Sequence, residues 1–169
     1  GGMVKGHTVD LAAALADGEI AIDAGGDARL RGDGPDGRGW LVDVEDPRDP
    51  AQVLVTLRVR DRAVATSAPN RRRWRVAGAA AHHLIDPRTG RSASSDLLQA
   101  TVLAPSAELA DVLAKAAFLG GTTRTGALLA GRAGVGAVLV DRAGRVTIVG
   151  DVALDDVVDD IATPEVIDA

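Results

Sequence analysis

The stretch Leu97–Gly121, LLQATVLAPSAELADVLAKAAFLGG, decides how the rest of the chain is read. Its first part, LLQATVLAP, is a β-rich run ended by a proline, which reads as a strand. Ser106 then stands as an N-cap before an apolar run that closes on Gly120-Gly121, and this reads as a helix. The period changes from two to 3.6 within a few residues. TRTGALLAGRA (123–133) continues as a second, weaker helix. GAVLVDRAGRVTIVG (136–150) reads as a hairpin, two β-branched runs around Arg142-Ala143-Gly144.

Working back towards the N-terminus, the chain reads mostly as strands. AAHHLI (80–85) and RRRWRVAG (71–78) are two short candidates. QVLVTLRVRDRAVATS (52–67) reads as a hairpin bending at Asp61-Arg62, preceded by strands in GWLVDVEDP, ARLRG and EIAIDA. HTVDLAAALA (7–16) reads as a short helix stopped by Gly18, and residues 154–161 as a last helical turn or a frayed end. Strands, a helix pair and a closing hairpin predict an α+β fold with a mostly antiparallel sheet and packed helices. There is no fixed-period repeat and no low-complexity linker, so one domain, or part of one, spans residues 1–169, with an acidic tail from about 154.

Composition narrows the function. The chain has one Phe, no Tyr and two Trp, so its core is built from Ala, Val and Leu. So few aromatics argue against a base-stacking surface. A net charge of −5 argues against binding nucleic acid through its phosphates. The absence of cysteine excludes disulfides, thiolate metal sites and a cysteine nucleophile. No apolar run approaches the ~18–20 residues of a membrane span.

Four stretches could carry chemistry. His82-His83-Leu84-Ile85-Asp86-Pro87-Arg88-Thr89-Gly90 places two of the three histidines side by side before a tight turn. On an extended strand the two rings point to opposite faces, so they cannot simply share a metal. Pro presets φ, Gly admits positive φ, and Asp can accept from the backbone ahead. Read on residues alone, the stretch is either a strand ending in a turn or a site. Asp111 and Lys115 share a face of an otherwise apolar helix, either as a surface ion pair or as part of a site. GGMVKG (1–6) and AGGDARLRG (24–32) are the others: paired glycines let a ligand approach the backbone, and Lys5 could neutralise a phosphate. Neither matches a P-loop or a dinucleotide fingerprint.

Taken in order, GGMVKGHTVD, IDAGGDARLRG, WLVDVEDP, AVATS, HHLIDPRTG and TVLAPSAELADVLAKAAFLGG resemble the ApbE family of FAD:protein FMN transferases, from residue 1 to about residue 150. The opening GGMVKG is an abrupt start, and members of that family are longer at the N-terminal side. The chain is therefore expected to be the C-terminal part of a longer ApbE-like domain. The resemblance implies that FMN is moved from FAD to a Thr or Ser hydroxyl of a target flavoprotein, with release of AMP and with Mg²⁺ as cofactor. It implies His83 as base or phosphate partner, with His82 facing away and the more exposed of the two. It places Lys5 and Ile85 at the flavin nucleotide, and Gly2 (through its carbonyl) and Asp111 as metal ligands. Three positions depart from the usual family pattern: Lys115 where Thr is common, Ala68 where the sequence often reads T-S-G, and Asp23 where Asn is usual. Members occur on both sides of the cytoplasmic membrane, so the resemblance leaves the compartment open.

Overall fold

A computed structural model describes residues 3–71, 73–76, 78–152 and 165–167. Residues 154–161 lie outside these. The fold is the expected α+β arrangement. α1 spans Val4–Ala14, three residues ahead of the predicted start. β1 (Ile20–Asp23) and β2 (Asp27–Arg31) form a hairpin, followed by β3 (Trp40–Glu45), β4 (Val53–Val59) and β5 (Ala63–Ser67). β6 (Arg73–Val76) pairs with β7 (Ala79–His82), and β8 (Ile85–Asp86) with β9 (Arg91–Ser92). β10 (Leu97–Ala104), α2 (Ala107–Leu129), β11 (Gly136–Asp141), β12 (Val146–Gly150) and β13 (Glu165–Ile167) complete the order.

The main sheet runs β1-β2-β5-β10-β11-β12-β13. Its pairs are antiparallel except β12 with β13, which is parallel. The expected hairpin around Arg142-Ala143-Gly144 is present: Asp141 accepts the backbone N–H groups of Ala143 and Arg145, and Gly144 has φ 85°. The expected hairpin across Asp61-Arg62 is not. β4 pairs with β3 in a separate two-stranded sheet, whereas β5 enters the main sheet between β2 and β10. The bend itself is real, since Asp61 is at φ 53°. Its carboxylate accepts from Gly32 N at 2.9 Å and its carbonyl from Arg29 Nη1 at 3.0 Å, which ties the bend to β2. The chain therefore leaves one sheet there and enters another.

Period-2 alternation sorts the main sheet into two unlike faces. Ala63, Ala65, Ala100, Val102, Ala104, Ala137 and Leu139 face one core, shared with Ala110, Ala114, Ala117 and Phe118 of α2. Val64, Leu103, Val138, Val140 and Ile148 face the other, shared with Val44, Val55, Leu57 and Val59 of the β3–β4 hairpin. Helices, sheet and hairpin are thus three layers. The alanine face lets α2 lie close to the sheet, and the larger β-branched face fills the space under the hairpin.

α2 is capped as expected and broken where two glycines end the first apolar run. Ser106 Oγ accepts from Leu109 N at 3.2 Å. Asp10 of α1 adds a second cap, its two carboxylate oxygens accepting from Ala107 N at 2.8 Å and Glu108 N at 2.9 Å. At Gly121 the backbone leaves helical geometry (φ 71°, ψ −177°), and Asp96 accepts from Thr122 N at 3.3 Å to start the second helical piece. The two expected helices are these two pieces. Gly6 is the contact point of α1 with α2: a Cβ there would come within 2.8 Å of Glu108 Cα.

Candidate functional site

The sequence places a lysine in α1 and an Asp-Lys pair in α2; packing puts a fourth residue between them. Asp27 opens β2 opposite Ala65, so its side chain points to the helical face of the sheet. It is 1% exposed and ion-paired to Lys5 Nζ at 2.6 Å. On α2, Asp111 is 2% exposed and its Oδ1 is in contact with Lys115 Nζ, which also donates to the Asp111 carbonyl at 3.2 Å. Asp111 Oδ2 is buried with no hydrogen-bond partner. Burial pushes the Lys115 ammonium below the usual lysine range; the Asp27 carboxylate opposes this and Lys5 reinforces it. The two pairs therefore act on each other as one cluster of two carboxylates and two ammonium groups.

The histidine stretch packs on the same helix. The His82 ring meets Phe118 edge-on, with centroids 6.2 Å apart. Phe118 lies seven residues after Asp111, about two turns along the same face. His82 Nε2 donates to Ala93 O at 3.1 Å, and Nδ1 accepts from Leu84 N at 3.3 Å. A carbonyl can only accept, so the ring carries its proton on Nε2. Both backbone groups of His82 are also held by Ser92 Oγ, at 2.8 Å each. His82 is thus turned inward, not out to solvent, and both histidines are half-buried. The alternation expected of a strand fails because β7 ends at His82 and the chain bends at His83. All of His82's polar groups serve the fold, which leaves His83 as the candidate for chemistry.

Beyond the bend the Asp-Pro-Arg-Thr-Gly turn forms as the residues dictate. Asp86 O accepts from Gly90 N at 2.8 Å, Gly90 has φ 65°, and Asp86 Oδ1 accepts from Arg88 N at 2.9 Å. The Arg88 guanidinium, and then its backbone N–H, hold the Asp86 carboxyl below the usual carboxylate range. Asp86 is a turn residue. Ile85, just before it, is an exposed apolar side chain. Gly2 lies outside the described residues. Ala68 is buried and not at positive φ, so the backbone angle there does not require glycine. Asp23 accepts from Gly26 N at 2.9 Å and shapes the Gly25-Gly26 turn.

That turn borders a cavity of about 470 Å³ on the hairpin side of the sheet, lined in part by Asp23, Asp43, Glu45 and Thr66. Three carboxylates make it a poor seat for a pyrophosphate. Sequence reasoning missed Asp27 and Asp10. The signal for Asp27 was available: an acid opening a strand immediately after a Gly-Gly turn, with an unmatched Lys5 upstream. Asp10 carried no local signal, because the helix it caps begins 97 positions later (107 − 10).

The three-layer fold and this cluster define a class. Residues 1–140 match the model of the ApbE family, and the chain belongs to that family. It is 32% identical over 114 residues to the FAD:protein FMN transferase of Vibrio cholerae, covering 64% of this chain and 34% of that protein. It is 30% identical over 112 residues to the enzyme of the same name from Salmonella typhimurium, covering 63% and 32%. Among solved structures, it resembles the ApbE protein of Thermotoga maritima with a TM-score of 0.75 and 30% identity, over 86% of this chain and 48% of that one. It resembles the Pseudomonas stutzeri flavinyl transferase ApbE with a TM-score of 0.65 and 27% identity, over 83% and 44%. The chain spans about a third of the length of the curated relatives it matches.

The resemblance implies Mg²⁺ held by Asp111 and Gly2. Mg²⁺ asks for near-octahedral oxygen coordination. Among the described residues no group of three or more His, Cys, Asp or Glu side chains is placed to hold a metal ion. Asp111 offers one carboxylate, and a lysine ammonium already stands on it. Among the described residues this donor set does not fit a divalent cation.

Proposed function

We propose that the protein containing this chain is an FAD:protein FMN transferase. The observation that carries the proposal is the juxtaposition of the Lys5–Asp27 and Lys115–Asp111 pairs with the helix on which the histidine stretch is docked, in a chain of the ApbE family. In this reading the hydroxyl oxygen of a Thr or Ser on a target flavoprotein attacks the flavin-side phosphorus of FAD. The bond from that phosphorus to the bridging oxygen breaks, and AMP leaves with the electron pair. His83 takes the hydroxyl proton as general base. Lys5 faces the diphosphate, and the backbone at Ile85 touches the flavin nucleotide. The chemistry asks little of the protein beyond positioning, and the two ammonium groups have N–H bonds to give to the diphosphate oxygens.

A second reading is a flavin-binding relative without transfer. One observation favours it, the lysine ammonium seated on Asp111. A single assay separates the two. The complete protein is given FAD and an acceptor peptide with a Thr or Ser hydroxyl in the sequence Ser/Thr-Gly-Ala-Ser/Thr, and AMP and peptide-bound flavin are measured. AMP release with flavin left on the peptide is the outcome expected of the transferase. FAD binding without AMP release would establish the second reading.

A further inference from the structure

Two carboxylates in this molecule are almost wholly withdrawn from water on the helical side of the sheet, Asp27 at 1% and Asp111 at 2% exposure. A buried carboxylate has to be compensated, by a cation or by hydrogen bonds. The chain compensates each with its own lysine, Asp27 with Lys5 and Asp111 with Lys115. The Lys115 side chain is 28% exposed and that of Lys5 46%, so both side chains lie between a buried carboxylate and solvent. We infer that Lys115 is the built-in cation of this site: it stands on Asp111 where a divalent ion would otherwise be held, and it makes the site independent of metal.

Three observations carry this. Lys115 lies four residues after Asp111, on one helix face, so a single turn of backbone fixes the pair. The pair's charges cancel, as do those of Lys5 and Asp27, so the cluster is neutral before any ligand arrives. A divalent ion added at Asp111 would meet the Lys115 ammonium already on that carboxylate. An anionic ligand such as a diphosphate would meet both ammonium groups as donors, each with three N–H bonds to give. Finally, Asp111 Oδ2 is buried without a hydrogen-bond partner. It is the oxygen that a cation would use once the lysine is removed.

The cation assignment stands on the cluster itself; only its consequence for activity rests on the transferase reading. The test uses Mn²⁺ as an electron paramagnetic resonance probe with the complete protein. Wild type is expected to bind no Mn²⁺ in an Asp111-dependent manner. Lys115→Thr is expected to gain one saturable site, lost again when Asp111→Asn is added. One-to-one Mn²⁺ binding by wild type that Asp111→Asn abolishes would overturn the inference, and so would failure of Lys115→Thr to gain a site while it still unfolds cooperatively. In the activity arm, EDTA is expected to leave AMP release from FAD within about twofold, and Lys115→Met to lower it by more than about tenfold. Loss of wild-type activity in EDTA with recovery in Mg²⁺ would count against a metal-free site. Absence of FAD cleavage under every condition would remove the transferase reading and leave the Mn²⁺ result to judge Lys115 alone.

Discussion

Side by side in sequence, His82 and His83 differ in what the fold asks of them. His82 spends both ring nitrogens on backbone groups and its face on Phe118. Its loss leaves Leu84 N and Ala93 O without their partner, each a cost of about 1–3 kcal/mol when buried. His82→Ala is therefore expected to lower the urea midpoint clearly. His83→Ala is expected to reduce FMN transfer by the folded protein by about 10²–10⁴-fold, the usual worth of a general base. Paired urea titrations and transfer assays on the two variants check this. Transfer by folded His83→Ala within about threefold of wild type would remove it as the base. Asp86, beside them, is a structural acid, held below the usual carboxylate range by Arg88. A depressed carboxylate contributes stability above its unfolded value of 3.8 and loses it as pH falls through the lower folded value.

At the scale of elements, α2 depends on its breaks and caps. The positive φ at Gly121 suits glycine alone, and a Cβ there would collide with the Asp96 carboxylate that caps the second helical piece. Gly121→Ala is expected to cost about 2 kcal/mol or more, from strain plus loss of the cap. Equilibrium urea unfolding measures it, and a change below about 0.5 kcal/mol would mean that the two pieces can merge without penalty. The Ser106 cap, the glycine break and the Arg142-Ala143-Gly144 turn were all legible in the sequence, because each depends on residues within a few positions. The β4–β5 junction was not. Asp61-Arg62 between two β-rich runs reads as a hairpin, and it does turn the chain. Which sheet β5 then joins is decided by β2 and β10, its partners in the main sheet, which lie far from it in sequence.

For the molecule as a whole, the division of the sheet into an alanine face and a β-branched face sets how near α2 can come. Ala100, in the centre of β10, is fully buried under that helix. Ala100→Leu is expected to cost about 1–3 kcal/mol by overpacking. It should also lift α2, and with it Asp111, Lys115 and the seat of His82. Lowered thermal stability together with reduced FMN transfer by the surviving folded protein is the expected result. Stability lost with the transfer rate intact would show that the site does not depend on the height of the helix.

The sequence by itself determined the α+β class, most of the strands, the capped helix and the turns, which rest on period, on caps and on φ preferences, all interactions between near neighbours. Membership in the ApbE family came from the order of its motifs. The sequence also paired Asp111 with Lys115, since four residues are one helical turn. It could not say that this pair is buried, that Asp27 answers Lys5, that Asp10 caps a helix nearly a hundred residues away, or that His82 turns inward. Those depend on which segments meet when the chain closes, and burial and partnership are properties of that meeting. The charge of the site was therefore written in the sequence residue by residue, and only the tertiary structure decided that two lysines and two carboxylates form one neutral cluster.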